Sequence, residues 1–393
     1  MKTSALKPLK HLLLAGGGHA HIGLLRRLAN GRIAAEDSKD KLAVTLVTEQ
    51  PQTLYSGMLP GWMAGHYDLK EISIDIIDLC KRAGVTLLQR PIVTVDADAQ
   101  KVTTTTDEHL EYDVLSLNTG ADTDISWLKS ESSEIENLDD KKSKDSLQNI
   151  VIPVRPLSNY VEQWQQILEQ AHQADNYKVA IVGAGAAATE VVMAAQFALQ
   201  QINPNHQAYL ICGESLLSGF DSRFRARVIK QLQRHNIDII YERAESLTTG
   251  QLLTTHQTLA IDAIIAATGV IGSDWTAHSN LETVGKGFIA VNSYQQSLSH
   301  ANVFAVGDVS TRVDRNIAHS GVHAVFGGKV EADNLMAYVA SEPLKPYQPK
   351  NRNLYLLSCG DKYAIGSWGK LSVQGQWVWI LKRYIDKRFV NAK

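Results

Sequence analysis

The sequence predicts an α/β protein made of two parallel-sheet units on one plan, followed by a small C-terminal segment of strands and a helix. A strand, a glycine-rich turn and a helix occur twice, in "HLLLAGGGHAHIGLLRRLA" and "KVAIVGAGAAATEVVMAAQFAL", with Gly16 and Gly183 167 residues apart. Each copy is followed by a second buried-strand pattern ending in Thr-Gly, "YDVLSLNTGA" and "IDAIIAATGV". A chain of 393 residues, 44% of them hydrophobic, has room for two or three cores at roughly 150 residues each.

A nucleotide turn needs a hydrophobic strand, glycines that let the backbone bend close to a diphosphate, and a helix whose first N–H groups face the anion. In the first copy "HLLLA" is the strand and Gly16 and Gly18 fill the first two fingerprint positions. The slot where a third glycine is usual holds His21, so Ala20 is expected to take the close contact. His19 and His21 either touch a ligand or pack, since such a turn needs no side-chain chemistry. The second copy has Gly183 and Gly185, Ala186 opening its helix, and Ala188 in the third slot, where alanine still permits close packing. Thr119-Gly120 and Thr268-Gly269 give each late strand a tight crossing beside a ligand. "HANVFAVGDVS" adds a strand ending in Gly307-Asp308, whose carboxylate can accept a hydrogen bond from a ligand hydroxyl.

Composition excludes several classes. With 39 basic and 41 acidic residues no global field draws nucleic acid. Cys80, Cys212 and Cys359 form no CxxC pair, which argues against a zinc site and a local redox disulfide; no metal site is expected. No window approaches the ~20 apolar residues of a membrane span. A cytoplasmic location is expected, with peripheral attachment to the inner face of the membrane as the alternative.

These motifs, with "TLYSGMLPGWMAGHY" and the ending "YLLSCGDKYAIG", resemble the FAD-dependent pyridine nucleotide-disulfide oxidoreductase superfamily. Within it the chain looks most like the type II NADH dehydrogenase branch, and is most similar to the flavoprotein domain fused to some selenide, water dikinases. The resemblance implies a FAD-binding domain, residues 1–157 and 277–345, split by an inserted NAD(P)H-binding domain, residues 158–276, with 346–393 as the C-terminal segment. FAD and NADH or NADPH are the cofactors it implies. Gly16, Gly18, His19 and Ala20 would then surround the FAD diphosphate, Thr119 and Gly120 would lie near the flavin nucleotide, and Gly307 and Asp308 would meet the ribityl chain. Ser56, Gly57 and Met58 would lie beside the flavin, with Tyr55 beside the substrate. Gly183, Gly185, Ala186, Thr268 and Gly269 would serve NAD(P)H, and Glu190 would sit between nicotinamide and flavin as the catalytic glutamate.

The sequence departs from the family pattern in places. At the end of "LAVTLVTEQ" the ribose-binding acid aligns with Thr48, and Glu49 stands one residue late; either can serve. In "QAYLICGESLL" the matching place holds Cys212 or Gly213, with Glu214 next and Arg223 and Arg225 downstream, which leaves NADH and NADPH open. After Asp308, His319 replaces a lysine, and Val322 and Gly327 occupy glutamine-like positions, so a quinone acceptor follows from the resemblance rather than from these residues. His319 and His323 share a face if helical and are candidate proton or substrate contacts.

Residues 121–150 read as a charged, exposed insertion, and "IPVRPLSNY" as an extended crossover into the inserted domain. If "QWVWILKRYIDKRFVNAK" is helical, Trp377, Ile380, Leu381, Tyr384, Ile385 and Phe389 share one face, flanked by Lys382, Arg383, Lys387 and Arg388. Such a helix lies in a membrane interface, packs on its own domain, or meets a second copy in a homodimer. The function expected is a FAD-dependent NAD(P)H dehydrogenase that passes electrons directly from FAD to a quinone-type small-molecule acceptor. Two alternatives stand beside it: a flavin enzyme acting on a selenium or sulfur compound, and a redox-sensing flavin module without turnover.

Overall fold

The computed structural model describes residues 10–31, 42–128, 151–248, 250–350 and 352–392. Most of the charged segment, residues 129–150, lies outside them. In chain order the elements that position the site are β1 (Lys10–Ala15), α1 (His19–Ala29), β2 (Leu42–Thr48), α2 (Leu59–Met63), α3 (Ile76–Ala83), β3 (Thr86–Gln89) and β4 (Val114–Leu117). Then come β5 (Val151–Pro153), α4 (Leu157–Gln173), β6 (Lys178–Val182), α5 (Ala186–Ile202), β7 (Gln207–Ile211), α6 (Ser222–Arg234), β8 (Asp238–Ile240) and β9 (Ala263–Ala266). The chain ends with β10 (Val303–Ala305), α7 (Gly321–Ala340), β11 (Leu354–Ser358), β12 (Ala364–Trp368), β13 (Leu371–Gly375) and α8 (Gln376–Val390).

Two five-stranded parallel sheets have matching topology: β10-β4-β1-β2-β3 and β5-β9-β6-β7-β8. Their late strands, "VLSL" and "AIIA", are buried along their whole length, as a strand covered on both faces must be. Each unit also carries a three-stranded antiparallel meander just before its late strand, at residues 92–111 and 244–260. Local signals close the helices. Asp75 caps α3 by accepting from the Asp78 N–H, and Gly84, at φ +66°, ends it.

The second sheet takes its edge strand from Val151–Pro153, ahead of residue 158. The chain has returned to the first unit by Trp275, which packs with Leu13, Val47 and Leu117. The two crossovers pair with each other: Asp122 and Thr123 form a short antiparallel ribbon with Val270 and Ile271. A three-stranded antiparallel sheet, β11-β12-β13, and α8 form the C-terminal module.

Candidate active site

The first glycine turn is held from three sides. Gly16 has φ +96°, and a Cβ there would lie 2.5 Å from the Asn118 carbonyl oxygen. Its N–H donates to the Val47 carbonyl at 2.7 Å. Asn118 is the clamp: its side-chain oxygen accepts from the Ala20 N–H at 3.1 Å and its amide nitrogen donates to the Val306 carbonyl at 2.6 Å. One side chain thus ties α1, the end of β4 and the end of β10 together. The Ala20 N–H is thereby satisfied within the protein, so it is the N–H groups of the glycine turn ahead of it that an anion there would meet.

Around this turn opens a cleft of about 440 Å³, lined by Gly16, Gly18, His19, Thr48, Glu49, Ser56, Thr119, Gly120 and Asp308 among others. Nine expected contact residues from five segments therefore meet at one place. Ala20 instead packs inward, against Gly328 of α7, and Met58 is buried. Three buried polar atoms, His19 Nε2, Thr119 Oγ1 and Asp308 Oδ1, have no hydrogen-bond partner. Such atoms are costly unless a ligand or water meets them. A cradle that admits only glycine, unpartnered polar atoms and a cleft lined from five segments of the chain fit a dinucleotide such as FAD.

Sequence reasoning missed Arg155, whose Nη1 lies 2.6 Å from Asp308 Oδ2. It was visible only as an arginine between two prolines in the crossover. Burial pushes the His19 ring down to about 4, with Asp308 opposing and Arg155 and Arg26 assisting, so His19 is neutral at pH 7.

The second turn repeats the device. Gly183 has φ +154°, and a Cβ there would meet the Ala267 carbonyl at 2.3 Å. Gly185 is the N-cap of α5, and a Cβ built on it meets nothing within 4 Å. Thr268 turns its hydroxyl to the Asp124 carbonyl, so that side chain is engaged by the crossover ribbon.

Glu190, on α5, faces the C-terminal module. Its Oε1 accepts from the Ser358 N–H at 2.7 Å, and burial pushes the carboxyl up to about 7, with Lys382 opposing and Asp386 adding to the rise. Lys382 and Asp386 come from α8 and are 8% and 6% exposed. Lys382 donates to Asp386 at 2.8 Å and to the Gly57 carbonyl at 2.5 Å, and Asp386 also bonds the Tyr55 hydroxyl. Helix α8 is therefore inverted. Trp377, Ile380, Leu381, Tyr384 and Ile385 face outward, while Lys382, expected on the flank, is buried in contact with the Tyr55–Gly57 loop. Phe389 departs from the outward face as well, stacking near His19 and Tyr55 at 5.7 and 4.7 Å between ring centroids.

His319 and His323 do not share a helix face, because α7 begins at Gly321 and leaves His319 in the preceding loop. They nonetheless line one small cavity of about 40 Å³ with Asp308, Arg312 and Tyr347. His319 stacks on Phe288 at 4.2 Å, and His323 bonds the Tyr347 hydroxyl at 3.1 Å. Burial lowers both rings from the usual histidine value. Gly327, at a glutamine-like position, lies where a Cβ would meet the end of the Gln295 side chain at 2.7 Å.

Comparison with known proteins adds the following. The family model described as pyridine nucleotide-disulphide oxidoreductase matches residues 10–328. A glutathione reductase from Burkholderia cepacia is 32% identical over 158 residues, 35% of this chain and 34% of that protein. The chain thus spans about a third of the length of that relative. Among solved structures, the sulfide:quinone oxidoreductase of Aquifex aeolicus matches with a TM-score of 0.77 at 17% identity, covering 97% of this chain and 92% of its own. NDH2 from Plasmodium falciparum in complex with NADH matches with a TM-score of 0.76 at 12% identity, covering 97% and 96%.

Proposed function

The chain belongs to the pyridine nucleotide-disulphide oxidoreductase family, with FAD and NAD(P)H as cofactors, and from that premise we propose that it carries electrons from NAD(P)H through FAD to a quinone-type acceptor at a membrane surface. The observation that carries the acceptor side is the inverted helix α8. Its outer face presents Trp377, Ile380, Leu381, Tyr384 and Ile385, and the same module exposes Leu354, Trp368, Leu371 and Val373. Aromatic and aliphatic side chains beside Arg383 and Arg388 suit the boundary between headgroups and acyl chains. No helix among the described residues is long and apolar enough to cross a membrane. Contact with lipid, in this reading, is peripheral.

When bound, FAD supplies the redox chemistry, taking a hydride from the nicotinamide and returning electrons to the acceptor. The protein's part is positioning and proton handling. The two glycine turns and their helix N-termini hold diphosphates. Asp308, fixed on one oxygen by Arg155, keeps the other for a cofactor hydroxyl. Glu190, at about 7, can hold or release a proton near neutral pH. Lys382 and Asp386 fasten the Tyr55–Gly57 loop to the helix that meets the membrane. The three cysteines are buried free thiols, which supports direct transfer from FAD without a thiol relay.

The double variant Ile380→Asp, Tyr384→Asp tests this reading. It is expected to keep NAD(P)H-dependent reduction of a short, water-soluble quinone, to lose sedimentation with anionic vesicles, and to fall about tenfold or more with a long-chain quinone embedded in them. Unchanged vesicle binding and unchanged use of the embedded quinone would sink the reading. A wild-type mass that doubles with concentration, abolished in the variant, would assign this face to a second copy instead.

A further inference from the structure

Beneath the first glycine turn lies a row of three polar side chains cut off from solvent. His21, Ser116 and Glu331, from α1, β4 and α7, are 0%, 0% and 1% exposed. His21 Nδ1 is 2.6 Å from the Gly16 carbonyl oxygen, and its Nε2 is 2.6 Å from Ser116 Oγ. Ser116 Oγ is in turn 2.9 Å from Glu331 Oε1. A histidine fits in the third fingerprint slot because the close helix crossing has moved one residue, to Ala20 against Gly328, where a Cβ on the glycine would lie 2.5 Å from Ala20. Ser116 is the one polar residue of the strand "VLSL".

Counting hydrogens along the row defines its state. A carbonyl oxygen only accepts, so His21 Nδ1 carries a hydrogen and donates to Gly16. Ser116 has one hydroxyl hydrogen and two neighbours, so it donates to one and accepts from the other. Either neutral His21 accepts from Ser116, which accepts from a protonated Glu331, or charged His21 donates to Ser116, which donates to an ionised Glu331. Both arrangements hold the same number of protons, one more than a neutral histidine beside a carboxylate. Separated charges without further partners are disfavoured in the interior. Burial accordingly pushes the Glu331 carboxyl up to about 8 and the His21 ring down to about 4, so the uncharged arrangement holds at pH 7.

The other titratable groups on the elements around the row are directed elsewhere. Lys10 bonds the Val339 carbonyl, His11 bonds Thr45 and the Glu111 carbonyl, and Arg26 reaches the Val390 carbonyl. Arg27 pairs with Asp333, Lys329 lies over Phe326, and His19 lines the cleft.

We infer that His21, Ser116 and Glu331 form a one-proton relay that holds the Gly16 carbonyl inward, leaving N–H groups rather than oxygen to face the FAD diphosphate. All three are positioning residues for the cofactor, and the role is independent of the acceptor. Raising the pH removes the shared proton and leaves Ser116 one hydrogen for two acceptors.

The test follows FAD release from diluted holoprotein by the rise in flavin fluorescence. Ser116→Ala is expected to release FAD about tenfold faster than wild type, the worth of one to two buried hydrogen bonds. Glu331→Gln, whose amide hydrogens replace the carboxyl proton, is expected to stay within about twofold and to lose the wild type's acceleration as pH rises through about 8. A wild-type release rate in Ser116→Ala, or a pH profile unchanged in Glu331→Gln, overturns the inference. If Ser116→Ala does not fold, nitrogen NMR of histidine-labelled wild type decides. The relay predicts His21 protonated on Nδ1 and bare on Nε2 at pH 7, and the opposite tautomer contradicts it.

Melting gives a further readout. Glu331 titrates near the ordinary glutamate value when unfolded and at about 8 when folded, so the folded protein loses stability as pH rises across that window. Glu331→Gln removes this loss, so its melting temperature gains on the wild type's up to about pH 8 and levels off above.

Discussion

Gly18→Ala is expected to leave the purified protein colourless. Gly18 has ordinary extended dihedrals, φ −70° and ψ 172°, so the loss does not come from backbone strain. It comes from space: the added Cβ would lie 2.2 Å from Asn118 Oδ1 and 2.6 Å from the Asn118 backbone oxygen. Asn118 cannot swing away freely, because its side chain holds the Ala20 N–H and the Val306 carbonyl. Displacing it spreads the turn, the end of β4 and the end of β10 together. FAD affinity is expected to fall by about a hundredfold or more, a cost of about 3 kcal/mol, read as the flavin absorbance retained through purification. Gly23→Ala, on the same helix, is the control. A Cβ there meets nothing within 4 Å, so that variant is expected to stay yellow.

Lys382→Met is expected to destabilise the protein more than any change on the outer face of α8. The substitution leaves Asp386, 6% exposed, as a buried carboxylate with only the Tyr55 hydroxyl beside it, and frees the Gly57 carbonyl. Removing one partner of a buried pair costs about 3–5 kcal/mol, against a small change when both are replaced by apolar groups. Chemical denaturation should therefore show a large loss in Lys382→Met and a substantial recovery in Lys382→Met, Asp386→Leu. Equal losses in the two variants would mean that the ion pair is not what secures the helix.

The parts legible in sequence were those written locally. A hydrophobic strand, glycines at fixed spacing and an amphipathic helix are contiguous, so both turns and both late strands could be read directly. The gathering of Gly16, Thr48, Thr119 and Asp308 at one cleft could be expected because parallel strands of such a unit end on the same side. What could not be read depends on partners distant in sequence. Apolar periodicity in α8 suggests which residues share a face, but not that this face turns outward while Lys382 and Asp386 turn inward to meet Tyr55 and Gly57, more than three hundred residues earlier. Arg155 gives no local signal for its pairing with Asp308. His21 appeared as a missing glycine, and its meaning depends on Ser116 and Glu331 standing opposite. His319 was placed on a helix by spacing, whereas the helix starts two residues later.

The most direct measurement for the account is an anaerobic visible titration of the holoprotein, first with NADH and NADPH separately, then with ubiquinone or menaquinone analogues. The account predicts that a reduced nicotinamide bleaches the flavin bands and that quinone restores them. Bands that bleach but recover with no quinone, and instead with selenite or polysulfide or with nothing, would contradict it.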